Sequence, residues 1–379
     1  MASSSSYSTI HHITFFLFLF LILSYQTKRA CASSSCFKSI IGFGDSLADT
    51  GNLPHLYPSE PPLFFEMPPY GETFFHHPTG RCSDGRLIID FIAQYMGLPL
   101  VPPFYDGKNS SGGGSVNFAV AGATALPDSF FVSRGVEVRH ANISLVDQLR
   151  WFKDKFLPKF YHKPSDRQNF LKASMVLVGE IGGNDYNHAL LGGKSKELVG
   201  TFVPKVVGVI SSAIRDLIKL GAATLVVPGN LPIGCSATYL TQFKSSNQSD
   251  YDPKTGCLNW LNKFARYHNN MLRAEVDRIQ KKHPHTKIIY ADYYNAAMRF
   301  YLSPHKYGFA KGALAACCPK CGPYKVDTRV LEGGAKACKD PSQYVSWDGL
   351  HLTEAAYRVI AKGLIKQSYT IPPINSSCA

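Results

Sequence analysis

Four places in this 379-residue sequence carry side chains or turns able to support acyl transfer, and they lie far apart in the chain. Ser46 follows an apolar run and two small glycines. A nucleophilic serine needs a tight turn that exposes its hydroxyl, a base to take its proton, and donors for the oxyanion that forms. A serine after a strand is more often a helix N-cap, so Ser46 alone decides nothing. His351 stands apart from the other histidines because Asp348 lies three residues upstream in Ser346-Trp347-Asp348-Gly349-Leu350-His351. One turn of chain can bring that carboxylate to the far ring nitrogen, fixing the tautomer and stabilising the imidazolium. The plain alternative is an acid and a histidine flanking a helix start, where acidic residues are common. Asn184 offers a side-chain amide after a second apolar run. Gly122, within Asn117-Phe118-Ala119-Val120-Ala121-Gly122-Ala123-Thr124, offers a backbone N–H in a turn. Either can face an oxyanion, and either can be only a turn former or a packing site.

Positioning such residues takes a scaffold, and the chain alternates short β-branched runs with amphipathic stretches. Lys38–Phe43, Ser174–Gly179, Ala223–Val227 and Thr286–Tyr290 read as buried strands. Helices are predicted over Asp84–Met96, over Ser144–Phe156 with a capping box from Ser144 to Asp147, over Phe202–Leu220, over Leu258–Lys282, and over Glu354–Ile365 with Thr353 as N-cap. Strands alternating with helices imply right-handed βαβ crossovers and a mostly parallel sheet covered on both faces, a three-layer α/β/α sandwich. Pro58–Tyr70 and Asp106–Ser115 read as surface excursions, and no composition shift marks a second domain. In open parallel sheets ligands sit beyond the carboxyl ends of the strands, which is where Ser46, Asn184 and Asn230 fall.

Taken as an ordered set, Gly44-Asp45-Ser46-Leu47, Gly122, Gly183-Asn184-Asp185 and Asp348-x-x-His351 resemble the GDSL (SGNH) hydrolases. The longer strings Phe43–Asn52 and Tyr344–Tyr357 are similar to the plant branch of that family. Pro69–Arg86 is similar to the subgroup containing sinapine esterase and acetylajmalan esterase. The resemblance implies a flavodoxin-like sandwich and hydrolysis of carboxylic esters. It further implies Ser46 as nucleophile, His351 as general base, Asp348 as its orienting acid, and an oxyanion hole from the N–H groups of Ser46 and Gly122 with the Asn184 side chain. It implies no cofactor and no metal.

The first residues carry an address. Ile13–Leu23 is apolar but much shorter than a membrane span, and Ala30-Cys31-Ala32 is a small-x-small cleavage pattern. A secretory signal peptide over 1–32 and a single hydrolase domain over 33–379 are predicted, with no later stretch apolar for long enough to cross a bilayer. Of the 10 cysteines, all but Cys31 remain after cleavage, and they fit an oxidising compartment. Proximity suggests Cys235 with Cys257, and Cys317 or Cys318 with Cys338. Asn-x-Ser sequons at Asn109, Asn142, Asn247 and Asn375 mark glycosylation positions on the surface. The destination is extracellular or cell wall, with the vacuole as the alternative.

Competing motifs fail. Gly42-x-Gly44 lacks the third glycine of a dinucleotide fingerprint, where Leu47 stands, and Gly193-Lys194-Ser195 lacks the earlier glycine of a phosphate loop. Cys318 and Cys321 have metal-knuckle spacing without a second pair, and His76-His77 reads as solvated or pocket-lining. The net charge of +13 comes from scattered Lys and Arg, which argues against nucleic acid and for solubility or contact with acidic wall polysaccharide. The partner expected is a small-molecule ester, with no stable membrane anchor. The subgroup resemblance implies small acyl or phenylpropanoid esters of a plant specialised metabolite, such as an alkaloid, as substrates. An acyltransferase with an alcohol acceptor, or a lipase on longer chains, is the alternative. Phe64-Phe65 and Phe74-Phe75 could line an acyl pocket, with core packing the commoner use.

Overall fold

Alternation of side chains along each central strand sets the architecture. In Ser39–Phe43 (β1), Ile41 and Phe43 enter one apolar cluster while Ile40 enters the other. The same split recurs in Ser174–Val178 (β3), Thr224–Pro228 (β4) and Lys287–Ala291 (β5), so the sheet is buried on both faces. Two short strands missed by the apolar runs, Val116–Asn117 (β2) and Thr370–Ile371 (β6), add the edges. They are too short to show a period, which is why sequence patterning passes over them.

The order is β2-β1-β3-β4-β5-β6, parallel throughout except for the antiparallel β5–β6 pair. The five parallel strands follow the 2-1-3-4-5 order of flavodoxin-like sheets, whose switch point lies between β1 and β3. This computed structural model describes residues 37–58, 62–105, 114–138, 142–318, 321–326, 337–366 and 369–374. Phe37–Ala379 forms one compact unit. The proposed leader and cleavage site, the sequons Asn109 and Asn375, and Cys31, Cys36 and Cys378 lie outside the described residues.

The longer helices are Ile88–Tyr95 (α1), Pro164–Lys172 (α2), Gly183–Leu191 (α3), Val203–Leu220 (α4), Asn259–Lys282 (α5), Tyr293–Leu302 (α6) and Glu354–Lys366 (α7). α4 and α5 cover one face of the sheet, and α1, α6 and α7 the other. α1 starts four residues later than its apolar pattern suggests. Its first turn is set by Asp90, whose carboxylate accepts the Leu87 N–H, while Asp84 is engaged elsewhere. The Ser144 capping box forms as expected, but only Leu145–Arg150 is α-helical, and Trp151–Phe156 widens into a π-helix just before Pro158. Thr353 caps α7, its hydroxyl accepting the Ala356 N–H at 3.2 Å.

One expectation needs correcting. The stretch Lys196–Leu220 is long and apolar enough, by length and composition, to cross a membrane. Within the fold α4 is amphipathic: Val206, Ile210, Ile214 and Leu217 are buried in the core, while Lys205 and Lys219 face outward.

Candidate active site

The turn after β1 presents Ser46. Gly44 has φ of +142°, and a Cβ there would stand 2.9 Å from the Glu180 carbonyl oxygen, so only glycine fits the closure of this turn against β3. The buried Gln148 amide holds Gly44 from both sides. It accepts the Gly44 N–H at 2.9 Å and donates to the Gly44 carbonyl at 2.7 Å. The Asp45 N–H donates to the Glu180 carbonyl, and the Asp45 carboxylate accepts the Leu47 N–H at 3.0 Å. Ser46 is left at the mouth of a cleft, 8% exposed.

His351 arrives from the loop before α7, 305 residues further along the chain, and its Nε2 lies 2.8 Å from Ser46 Oγ. Its Nδ1 lies 2.6 Å from Asp348 Oδ2. With Nδ1–H donating to the carboxylate, Nε2 is the nitrogen free to accept the serine proton. The other oxygen of Asp348 accepts the N–H groups of Leu350 and His351, at 2.9 and 2.7 Å. Gly349, at φ +102°, reverses the loop between acid and base, and its carbonyl is held by Ser236 Oγ and the Thr238 N–H.

The segment 70–86 is fastened to the same loop. Tyr70 donates to Asp348 Oδ2 at 3.0 Å, and Ser83 Oγ donates to the Leu352 carbonyl at 3.0 Å. Asp84 accepts the Glu354 N–H at 2.7 Å, and Arg86 forms an ion pair with Glu354. The end of Pro58–Tyr70 is therefore not the surface excursion its proline content suggests, since Tyr70 is buried against Trp347 and Phe64.

Asn184, in the first turn of α3, lines the cleft with Ser46, and its Nδ2 donates to the Ala123 carbonyl at 3.0 Å. Gly122, one residue earlier at φ +84°, belongs to a loop gripped along its length. Asp49 accepts the Ala121 N–H at 2.8 Å, Asn52 donates to the Asn117 and Ala119 carbonyls, and Asp185 accepts the N–H groups of Ala125 and Leu126. Among the described residues, neither the Ser46 N–H nor the Gly122 N–H has an acceptor within the protein. The Ser46 turn and the Asn184 amide thus line one cleft, the amide a donor of the type that steadies a tetrahedral oxyanion.

Charge is distributed to match. Burial alone would push His351 down, but the Asp348 carboxylate, helped by Asp45, more than offsets it, and the imidazole is held above its ordinary value. Burial opposes ionisation of Asp348 as well, yet His351 and the two loop N–H groups bring it below the usual range. Burial and the neighbouring Asp45 push the Glu180 carboxyl well above its ordinary value. Burial raises Asp49 to about 6 and Asp185 to about 7, against the backbone N–H bonds that pull both down.

The cleft has a volume of about 70 Å³, with walls from Leu231–Ile233, Tyr239, Tyr301 and Leu350 among others. Neither phenylalanine pair lines it. Phe65 is buried in the core, and Phe74 and Phe75 lie against Arg86 and Arg81. His76 and His77 are exposed, as are Asn142 and Asn247. Disulfides join Cys235 to Cys257, Cys317 to Cys338 and Cys318 to Cys321, and Cys82 is buried and free.

The family model for GDSL-like lipase/acylhydrolase matches residues 40–364. The chain belongs to this family. It is a GDSL hydrolase acting on carboxylic esters, as are its relatives by name. It is 51% identical to the GDSL esterase/lipase At1g28590 of Arabidopsis thaliana, over all of this chain and 93% of that one. It is 50% identical to At1g28580 of the same plant, over 96% of this chain and 93% of that one. It is also 48% identical to the sinapine esterase of Brassica napus, over 92% of this chain and 91% of that one. In this GDSL hydrolase the sequence-predicted Ser46, Asp348 and His351 meet, with Asn184 beside them. Sequence reasoning missed Gln148, Tyr70, Asp49 and Asp185. Gln148 is one polar residue inside a helix, and only its buried position on the helix face could have marked it. Asp49 and Asp185 sit inside the quoted motifs, and only their N–H partners reveal what they hold.

Proposed function

We propose that this protein is a secreted serine esterase that cleaves small acyl or phenylpropanoid esters of a plant specialised metabolite, such as an alkaloid, through an acyl-enzyme on Ser46. The observation that carries this reading is the 2.8 Å approach of Ser46 Oγ to His351 Nε2. His351 takes the serine proton as Oγ attacks the ester carbonyl, Asp348 steadies the imidazolium, and the N–H groups of Ser46 and Gly122 with the Asn184 amide receive the oxyanion. His351 then returns the proton to the leaving alcohol. Water, deprotonated by the same imidazole, releases the acid and restores Ser46.

A relative named for sinapine hydrolysis supports this substrate class. Three disulfides, two exposed sequons and an apolar leader support export. A basic surface suits a wall rich in acidic polysaccharide.

Ser46→Ala should abolish turnover of p-nitrophenyl acetate while keeping the wild-type circular dichroism spectrum; a fully active variant refutes the nucleophile. A panel of acetyl, sinapoyl and long-chain esters tests the substrate class. Preference for long acyl chains would refute that part, and ester formation on added alcohols would favour acyl transfer over hydrolysis.

A further inference from the structure

We propose that Asn187 and Tyr239 are positioning residues that lock the Asn184 amide with its N–H end toward the cleft, the only orientation in which it can donate to an oxyanion. The inference rests on the proposed role of Asn184 and adds the device that fixes its direction. An amide side chain has a donor end and an acceptor end of nearly the same shape, and its neighbours decide which end points where.

Here the decision propagates from one fixed polarity. The Ala123 carbonyl can only accept, so the atom 3.0 Å from it must be Asn184 Nδ2. Asn184 Oδ1 then faces Asn187, which must present its own Nδ2, at 3.2 Å. That leaves Asn187 Oδ1 toward Tyr239, whose hydroxyl donates to it at 2.6 Å. Every link is satisfied in one direction of the chain. Reversing Asn184 would set its oxygen against the Ala123 carbonyl and against any incoming oxyanion at once.

The elements make this chain stiff. Asn184 and Asn187 lie one helical turn apart on α3, where side chains at i and i+3 share a face. Tyr239 comes from the short helix Ala237–Gln242, fully buried, with its ring stacked on Phe243 at 5.8 Å. Burial keeps its phenol protonated, so it remains a donor. The second hydrogen of Asn184 Nδ2 faces Asp45 Oδ2 at 3.5 Å, a long contact that can be exchanged for an oxyanion. The strong bonds fix the direction, and the weak one leaves a hydrogen available.

The test is a double-mutant cycle on kcat with p-nitrophenyl acetate, using Asn187→Leu alone and on an Asn184→Ala background. Asn187→Leu should lower kcat about tenfold, less than outright loss of a donor, and this loss should shrink at least threefold once Asn184 is already alanine, since there is no amide left to orient. A smaller shrinkage, or no loss in the single variant, overturns the proposal. Tyr239→Phe, which removes one hydroxyl from the far end of the chain, is the milder second variant should Asn187→Leu not fold, and it is scored by the same ratio. If Asn184→Ala itself keeps wild-type kcat, the oxyanion assignment of Asn184 has failed and this proposal falls with it; that result is distinct from a cycle that is merely additive.

Discussion

Tyr70 donates its hydroxyl to Asp348 Oδ2, the same oxygen that receives His351 Nδ1–H. The phenol is held protonated by burial and by the Asp348 charge. It therefore draws on the same lone pairs as the imidazole and moderates the pull of the carboxylate on His351. Tyr70 does not line the cleft. Tyr70→Phe should leave KM unchanged, lower kcat about fivefold (on the order of 1 kcal/mol of barrier) as Asp348 loses one of its four donors, and move the acid limb of kcat/KM to higher pH. An unmoved limb with unchanged kcat would reduce Tyr70 to a packing residue.

The pH profile of the wild-type enzyme follows from His351. The unprotonated ring is the active form, and its affinity for the proton is raised above the ordinary value of 6.5. Activity should thus fall as pH drops through a point above 6.5, higher on the scale than a free imidazole would place it. In Asp348→Asn the attraction is gone while burial remains, so the limb should move below 6.5, with a plateau reduced by up to about 10⁴-fold. Measuring kcat/KM from pH 5 to 9 for both proteins checks the two directions.

Much of this was open to sequence reading, for a physical reason. The strands are continuous apolar runs buried on both faces, which patterning detects, and Ser46, Asn184 and His351 fall just beyond strands or before a helix, where the fold places ligands. The edges β2 and β6 were invisible because two residues carry no period. Tyr70 was invisible because proline-rich sequence reads as a loop and says nothing of which buried acid the loop reaches 278 residues away. Gln148 was read as part of a helix rather than as the clamp on the nucleophile turn. The direction of an amide, as in Asn184, exists only in three dimensions.

Arg81 and Asp90 form a buried bidentate pair, with both guanidinium contacts at 2.9 Å, and Arg81 also donates to the Thr50 carbonyl beside the Ser46 turn. Removing one partner leaves an uncompensated charge inside the fold. Arg81→Met should cost about 3–5 kcal/mol in chemical denaturation. A loss under about 1 kcal/mol, the scale of an exposed pair, would show that the site admits water.

The Cys235–Cys257 bond closes a loop with a sequence separation of 22, next to the cleft wall at Leu231–Ile233. Replacing both cysteines with alanine should lower stability by about 3 kcal/mol and raise KM more than it lowers kcat, because the lost bond adjoins the cleft wall while the Asp348 carboxylate keeps its own loop N–H bonds. Thermal melting and steady-state kinetics on the same preparation check both parts. A fall confined to kcat would place the effect in the machinery instead.

The most direct measurement is covalent capture. An organophosphorus serine reagent added to the native enzyme, followed by peptide mass spectrometry, should place one adduct on Ser46 in step with loss of esterase activity, and His351→Ala should slow labelling by orders of magnitude. Inactivation with the adduct on another residue, or full activity with Ser46 blocked, would contradict the account.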